Sequence, residues 1–174
     1  MATLLTERLL PHGVIVRPTL ADDRQFLLHV YADSRAREMA QVPWNAEEIA
    51  AFLKSQFDLQ DTQYRRLYPG AEFLVIEVDG KPAGRLYLCR FADRLQLMDI
   101  ALLQEFRGRG IGSALMRAVQ DRAIEFDLPV RLYVEQYNPA RRLHLRMGFR
   151  TIGDQGLYEL MEWQSPAQAG VAKT

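Results

Sequence analysis

The segment "EFRGRGIGSALM", residues 105–116, limits what this chain can fold into more than any other. Gly108, Gly110 and Gly112 fall within five positions, at the start of an apolar run. Glycine inside an element costs about 0.5–1 kcal/mol relative to alanine through chain entropy. Such a cluster belongs where the backbone turns tightly or something must approach it closely. Downstream, Ile111, Ala114, Leu115, Ala118, Val119, Ala123 and Phe126 recur at helical spacing. Upstream, "RLQLMDIALL" reads as a strand. The glycines thus occupy a strand-to-helix junction. A helix start presents N–H groups without intrahelical partners and a partial positive charge, and both attract phosphate.

Charge supports an anionic ligand at this place. From Arg107 to Arg150 there are nine Arg against four Asp or Glu, whereas residues 1–106 carry twelve basic and fifteen acidic residues. The whole chain balances 22 against 22, which gives no case for nucleic acid or a membrane surface. Its 174 residues, 48% hydrophobic and 25% charged, describe one soluble domain with a real core. Cys89 is the only cysteine, so an internal disulfide is excluded and a reducing cytoplasm fits. The start, "MATLLTERLL", places Glu7 and Arg8 where a secretory leader needs an unbroken apolar core. No run reaches the ~20 apolar residues of a membrane span. The end, "SPAQAGVAKT", is small and polar and is expected to fray. The expected division is a domain over 1–165 and a flexible tail over 166–174.

Other elements follow in order. "GVIVRP" reads as a strand stopped by Pro18, and "TLADDRQFLLHVYADSR" as a helix starting near Thr19 or Asp22. "NAEEIAAFLKSQFDLQDTQYRRLY" is a longer helix; Asn45 and Glu48 form a capping-box pattern, and Ile49, Phe52, Leu53 and Phe57 its apolar face. "EFLVIEV" and "GRLYLCRF" are strands around a turn at Asp79-Gly80. "VRLYVEQ" is a strand, "NPARRLHLRMG" a short helix, and "FRTIG" with "LYELMEW" a closing pair. This order predicts an α/β (α+β) domain with a mixed, mostly antiparallel sheet of six to seven strands and about four helices.

Two phosphate-loop patterns fail at the glycines. A P-loop needs Lys after its last glycine, and Ser113 stands there; G-x-G-x-x-G ends on Ser113 or Leu115. What fits is R-x-x-G-x-G, from Arg107 through Gly110 to Gly112. "DIALLQEFRGRGIGSALM" resembles the acyl-CoA motif of the GNAT superfamily of N-acetyltransferases, Q/R-x-x-G-x-G/A after a strand. "NPARRLHLRMGF", residues 138–149, resembles that family's second signature, N-P-A-x-x-L-Y-x-x-x-G-F. The two lie in the family's order, one helix and one strand apart.

The resemblance implies the GNAT fold from about Val14 to Trp163 and acetyl-CoA as acyl donor. It implies that the backbone of Ile100, Ala101 and Leu102 splays from its neighbour to pair with the pantetheine arm. The N–H groups of Arg107, Gly108, Arg109, Gly110, Ile111, Gly112 and Ser113 would wrap the pyrophosphate. Asn138, Arg141 and Arg142 would border the cofactor, and a backbone N–H near Leu102 would serve the carbonyl oxygen. The implied reaction is direct attack by a primary amine of a small molecule or peptide.

The family's thiolate acid, the Tyr of its second signature, is here His144. Imidazole, with an ordinary pKa of about 6.5, can donate or accept a proton near neutrality. A packed structural role is the competing reading, and Tyr133 and Tyr137 are nearby substitutes. Glu135 and Asp99 are the candidate bases, beside a water chain. Trp44, Tyr64 and Tyr68 lie in a region that, by the resemblance, borders the acceptor pocket; the competing reading is that Tyr64, Leu67 and Tyr68 are the core stripe of their helix. Cys89 reads as a packed strand residue and Ser113 as a helix-start residue. His12, His29 and His144 have no metal-ligand spacing, so no metal is expected. A homodimer, transfer of a longer acyl group, a CoA-binding module without turnover and an ATP-binding regulator stay open. The acceptor is unassigned.

Overall fold

Alternating apolar residues set the strands, and the turns between them decide their direction. The computed structural model describes residues 4–5 and 10–171 apart from the side chains at 12 and 171; Glu7, Arg8, residues 172–174 and the His12 side chain lie outside the described residues. The strands are β1 (Val14–Pro18), β2 (Glu72–Val78), β3 (Lys81–Arg90), β4 (Leu95–Leu102), β5 (Val130–Glu135), β6 (Arg150–Gln155) and β7 (Tyr158–Trp163). The helices are α1 (Arg24–Met39), α2 (Ala46–Leu67), α3 (Ile111–Phe126), α4 (Ala140–Arg146) and α5 (Pro166–Val171).

One mixed sheet runs β1-β2-β3-β4-β5-β7-β6, with β4–β5 parallel and the other neighbours antiparallel. The seven strands and their flanking helices are the expected GNAT-like fold. The β2–β3 turn forms at Asp79 (φ 50°) and Gly80 (φ 76°), the double left-handed pair that suits a two-residue hairpin. Pro18 ends β1, an edge strand, where a missing N–H is tolerated.

Period-two alternation divides the core. Leu74, Ile76 and Val78 of β2 pack with Ile111, Leu115, Met116 and Val119 of α3. Val75, between them, joins Leu27 and Tyr31 of α1 and Leu53 and Phe57 of α2. Helices α1 and α2 therefore cover one face and α3 the other.

The capping box at α2 is reciprocal. Glu48 N–H donates to Asn45 Oδ1 at 2.9 Å and Asn45 N–H donates to Glu48 Oε2 at 2.8 Å. Phe52, expected on the apolar face, is instead 37% exposed and packs edge-on against Trp44. It sits at the margin of a stripe whose buried members are Leu53 and Phe57. The segment expected to fray carries α5 over 166–171. Ser165 Oγ accepts from Gln168 N–H, and Gln168 Oε1 accepts from Ser165 N–H.

Two irregularities of β4 create the site. Tyr87 pairs with Asp99 but Leu88 pairs with Leu97, so the register skips Met98. This bulge turns Asp99 onto the face of Tyr87, toward α1 and α2; without it Asp99 would share the face of Leu97. In addition, the β4–β5 ladder holds only at Leu95–Val130, Gln96–Arg131 and Leu97–Leu132. Beyond these pairs the two strands part.

Gly84 lets β3 lie against the parted half of β4. A Cβ there would stand 2.1 Å from the Ala101 carbonyl oxygen. Gly84→Ala is expected to destabilise the fold by about 2 kcal/mol through this overlap, read as a lowered urea midpoint. An unchanged midpoint would show that β4 can move aside freely.

Candidate active site

The parted strands open into a cavity of about 240 Å³. Met98, Asp99, Ile100 and Ala101 of β4 line one side, and Tyr133, Val134 and Glu135 of β5 the other. Two polar groups reach in from above β3: Arg85 from the strand and Tyr64 from α2. Helix α4 contributes Ala140 and His144, and the loop before it Asn138.

Of the expected pantetheine strand, Ile100 and Ala101 border the cavity. The Leu102 carbonyl is already taken, accepting from Arg107 Nε at 2.8 Å. Arg107 also pairs with Asp33 of α1 at 2.6 Å, so its side chain fastens the loop to α1. Arg109 lies over the Phe106 ring, 5.5 Å from its centre. Gly108 (φ 72°) and Gly110 (φ 78°) hold left-handed backbone that a side chain would strain. Gly110 is the N-cap of α3, and no side chain among the described residues caps that helix. Ile111, Gly112 and Ser113 form its first turn, whose N–H groups have no intrahelical partner. Such a mouth fits a diphosphate. Gly112 serves packing instead. A Cβ there would come within 3.3 Å of Leu143, so it lets α4 press against α3. The same short helix then carries His144 into the cavity.

Asn138 precedes the Pro139 N-cap of α4, its Oδ1 accepting from Ala140 N–H at 2.9 Å. Arg141 is drawn to β7 by Glu159 at 2.9 Å, and Arg142 is exposed. The basic excess is therefore partly committed to internal pairs. Cys89 is buried in β3 and its thiol is pushed up by burial. Among the described residues no group of His, Cys, Asp and Glu is arranged to hold a metal, and no helix is long and apolar enough to cross a membrane.

His144 is 4% exposed, stands 5.8 Å from the Phe149 ring, and has a buried Nδ1 without a hydrogen-bond partner among the described residues. Burial lowers its pKa from 6.5 to about 4, because charge is disfavoured in a poorly solvated place. The near-neutral titration expected of this residue is thus removed, and at pH 7 it is a neutral imidazole. Glu135 accepts from the Tyr158 hydroxyl at 3.2 Å and lies 3.6 Å from Arg35. Asp99 pairs with Arg85. Tyr64 donates to the Met98 carbonyl at 3.4 Å, and burial raises its phenol, which stays protonated. Tyr68 and Trp44 are not on the cavity wall, and Tyr137 is 92% exposed.

Sequence reading missed Arg85, Arg35, Gln60 and Tyr158. Only Arg85 left a signal: it is a charge inside the buried run Ala83–Cys89. The others come from segments far apart in the chain.

Comparison with known proteins identifies the family and the fold. The model of the "Acetyltransferase (GNAT) family" matches residues 32–149. A Bacillus subtilis (strain 168) protein carrying the name of a putative ribosomal protein bS18 alanine N-acetyltransferase is 33% identical over 102 residues. That match covers 58% of this chain and 60% of the relative's length. Among solved structures, the PaiA N-acetyltransferase of Thermoplasma acidophilum in complex with coenzyme A aligns with a TM-score of 0.67 at 21% identity, over 87% of this chain and 99% of that one. An acetyltransferase of Thermus thermophilus aligns with a TM-score of 0.63 at 18% identity, over 89% and 99%.

The His144 environment has a stability consequence. Its folded pKa lies below the unfolded value, so protonation favours the unfolded chain. The stability is present above pH 6.5 and is lost as pH falls toward 4. The loss reaches on the order of 3 kcal/mol. Urea unfolding of His144→Phe against pH should lack this contribution; parallel curves for the two proteins would refute the buried, neutral imidazole.

Proposed function

The chain belongs to the acetyltransferase (GNAT) family, and from that premise we propose that it transfers an acetyl group from acetyl-CoA to a primary amine by direct attack. Residues 1–165 are the catalytic domain in this reading, and the cytoplasm, with Cys89 kept reduced, is its compartment. The observation that carries the reading is the junction built by α4. Leu143 seals α4 onto the uncapped glycine mouth of α3, while His144, one residue on, enters the split between β4 and β5. An anion at the mouth and a reacting group in the split would then belong to one elongated ligand.

Acetyl-CoA supplies the thioester. The chain's own groups do the rest. The N–H groups from Arg107 to Ser113 hold the diphosphate, with the helix dipole adding attraction. The open backbone of Ile100 and Ala101 holds the pantetheine arm by strand-like pairing, as a free sheet edge does. Asn138 and Arg141 keep α4 in place beside it. Asp99 and Glu135 face one another across the split and receive the ammonium of the acceptor and its proton. A neutral imidazole at His144 gives or accepts a hydrogen bond at the leaving sulfur without bringing a charge. The Bacillus relative's name favours a peptide amine among the acceptors, and the small volume of the cavity favours a small one.

The direct test is to mix the protein with acetyl-CoA and a panel of amines and follow free thiol. Thiol release dependent on one amine supports transfer; CoA binding with no release across the panel supports a binding module, and tighter binding of ATP than CoA supports the regulator. Gly110→Val should weaken CoA binding about tenfold or more with the fold retained, because valine strains the left-handed N-cap. His144→Phe should lower kcat by about tenfold or more while CoA affinity holds. An unaltered kcat removes His144 from the chemistry.

A further inference from the structure

The cavity carries charges that acetyl transfer by itself does not require. Arg85 is 2% exposed, with Tyr31 and Tyr87 rings 5.6 and 5.0 Å from its guanidinium. Its Nη2 donates to Asp99 and, at 3.0 Å, to Gln60 Oε1, while its buried Nε has no partner among the described residues. A guanidinium has five N–H donors, and a buried one is ordinarily satisfied. Removing such a cation from water is costly, and a single carboxylate offsets that only in part. Across the same cavity Arg35 lies 3.0 Å from Glu38 and 3.6 Å from Glu135. The wall therefore presents cations and carboxylates side by side, on both sides of the space an acceptor must fill.

We propose that the acceptor is a small zwitterionic amine, its carboxylate held at Arg85 and its ammonium at the carboxylates of Asp99 and Glu135. This deepens the acetyl-transfer reading and rests on it. The charge pattern discriminates between acceptor classes. A diamine or polyamine brings a second cation against two guanidiniums. A monoamine without an anionic group leaves Arg85 with donors unmatched. An amino acid places opposite charges two or more bonds apart and meets both signs on the wall. The polar walls and small volume exclude a bulky apolar acceptor from this cavity.

The test uses the full chain loaded with CoA and titrated with matched pairs: alanine and ethylamine, 4-aminobutyrate and propylamine, lysine and 1,5-diaminopentane, each amino acid also as its carboxamide. At least one amino acid should bind about tenfold or more tightly than its decarboxylated partner, with the carboxamide between them. Arg85→Gln should erase that gap while CoA affinity persists, and Arg85→Lys should restore part of it. Should Arg85→Gln fail to fold, the unaltered protein's panel decides alone. The proposal is overturned when no pair favours the carboxylate, when the diamine binds as well as lysine, or when the gap survives in folded Arg85→Gln. Failure of the unaltered protein to bind CoA overturns the acetyl-transfer reading as well; CoA binding without the preference overturns only this one.

Discussion

A parallel pairing that lasts three residues on each strand governs this molecule. After Leu97 and Leu132 the backbones of β4 and β5 separate, and each keeps only its outer neighbour. Backbone polar groups inside a protein need partners, so a sheet opened at its centre is a place where something else must pair. Every other feature of the site depends on this separation. It provides the cavity, it aims the two carboxylates of β4 and β5 at one space, and it leaves room for α4 to insert His144. Gly84 holds the divided strand against β3, where any larger residue would overlap Ala101.

Two electrostatic environments meet in the cavity. Around His144 the surroundings are dry enough to keep an imidazole neutral at pH 7. Near Arg85 they hold a permanent cation. Burial is the largest single influence and works against that charge, but Asp99 together with Tyr87 and Tyr64 outweighs it and holds the guanidinium above its ordinary range. A neutral hydrogen-bonding group and ordered ion pairs lining the same cavity suit a reaction that moves an uncharged acyl group onto a charged acceptor. The arginines outside the cavity do something else. Arg107, Arg131 and Arg141 are tied to Asp33, Glu162 and Glu159, and so join loop, sheet and helix to one another. Part of the local positive excess is therefore structural.

Most elements were legible because they rest on local physics. The capping box of Asn45 and Glu48, the turn at Asp79 and Gly80 and the apolar spacing of α3 depend on residues a few positions apart. The glycine mouth was legible for the same reason, although the three glycines serve different ends: Gly108 and Gly110 supply backbone conformation, and Gly112 supplies contact with Leu143. Phe52 was misread because its burial is decided by contacts at the margin of the helix stripe. The bulge at Met98 left a trace in the sequence. The apolar phase of β4 slips by one between Leu97 and Ile100, leaving Asp99 where an unbroken strand would bury it.

The sequence by itself determined the strand-to-helix junction, the family and most of the element order, since each follows from periodicity or from backbone freedom at named positions. It also placed His144 in the family's tyrosine position. Only the tertiary structure decided that His144 is neutral, because its pKa is set by burial and not by residue type. Only the tertiary structure brought Arg85 to Asp99 and Arg35 to Glu135. Those partners come from different strands and helices, and the register of a bulged sheet, which no local pattern encodes in full, sets which of them meet.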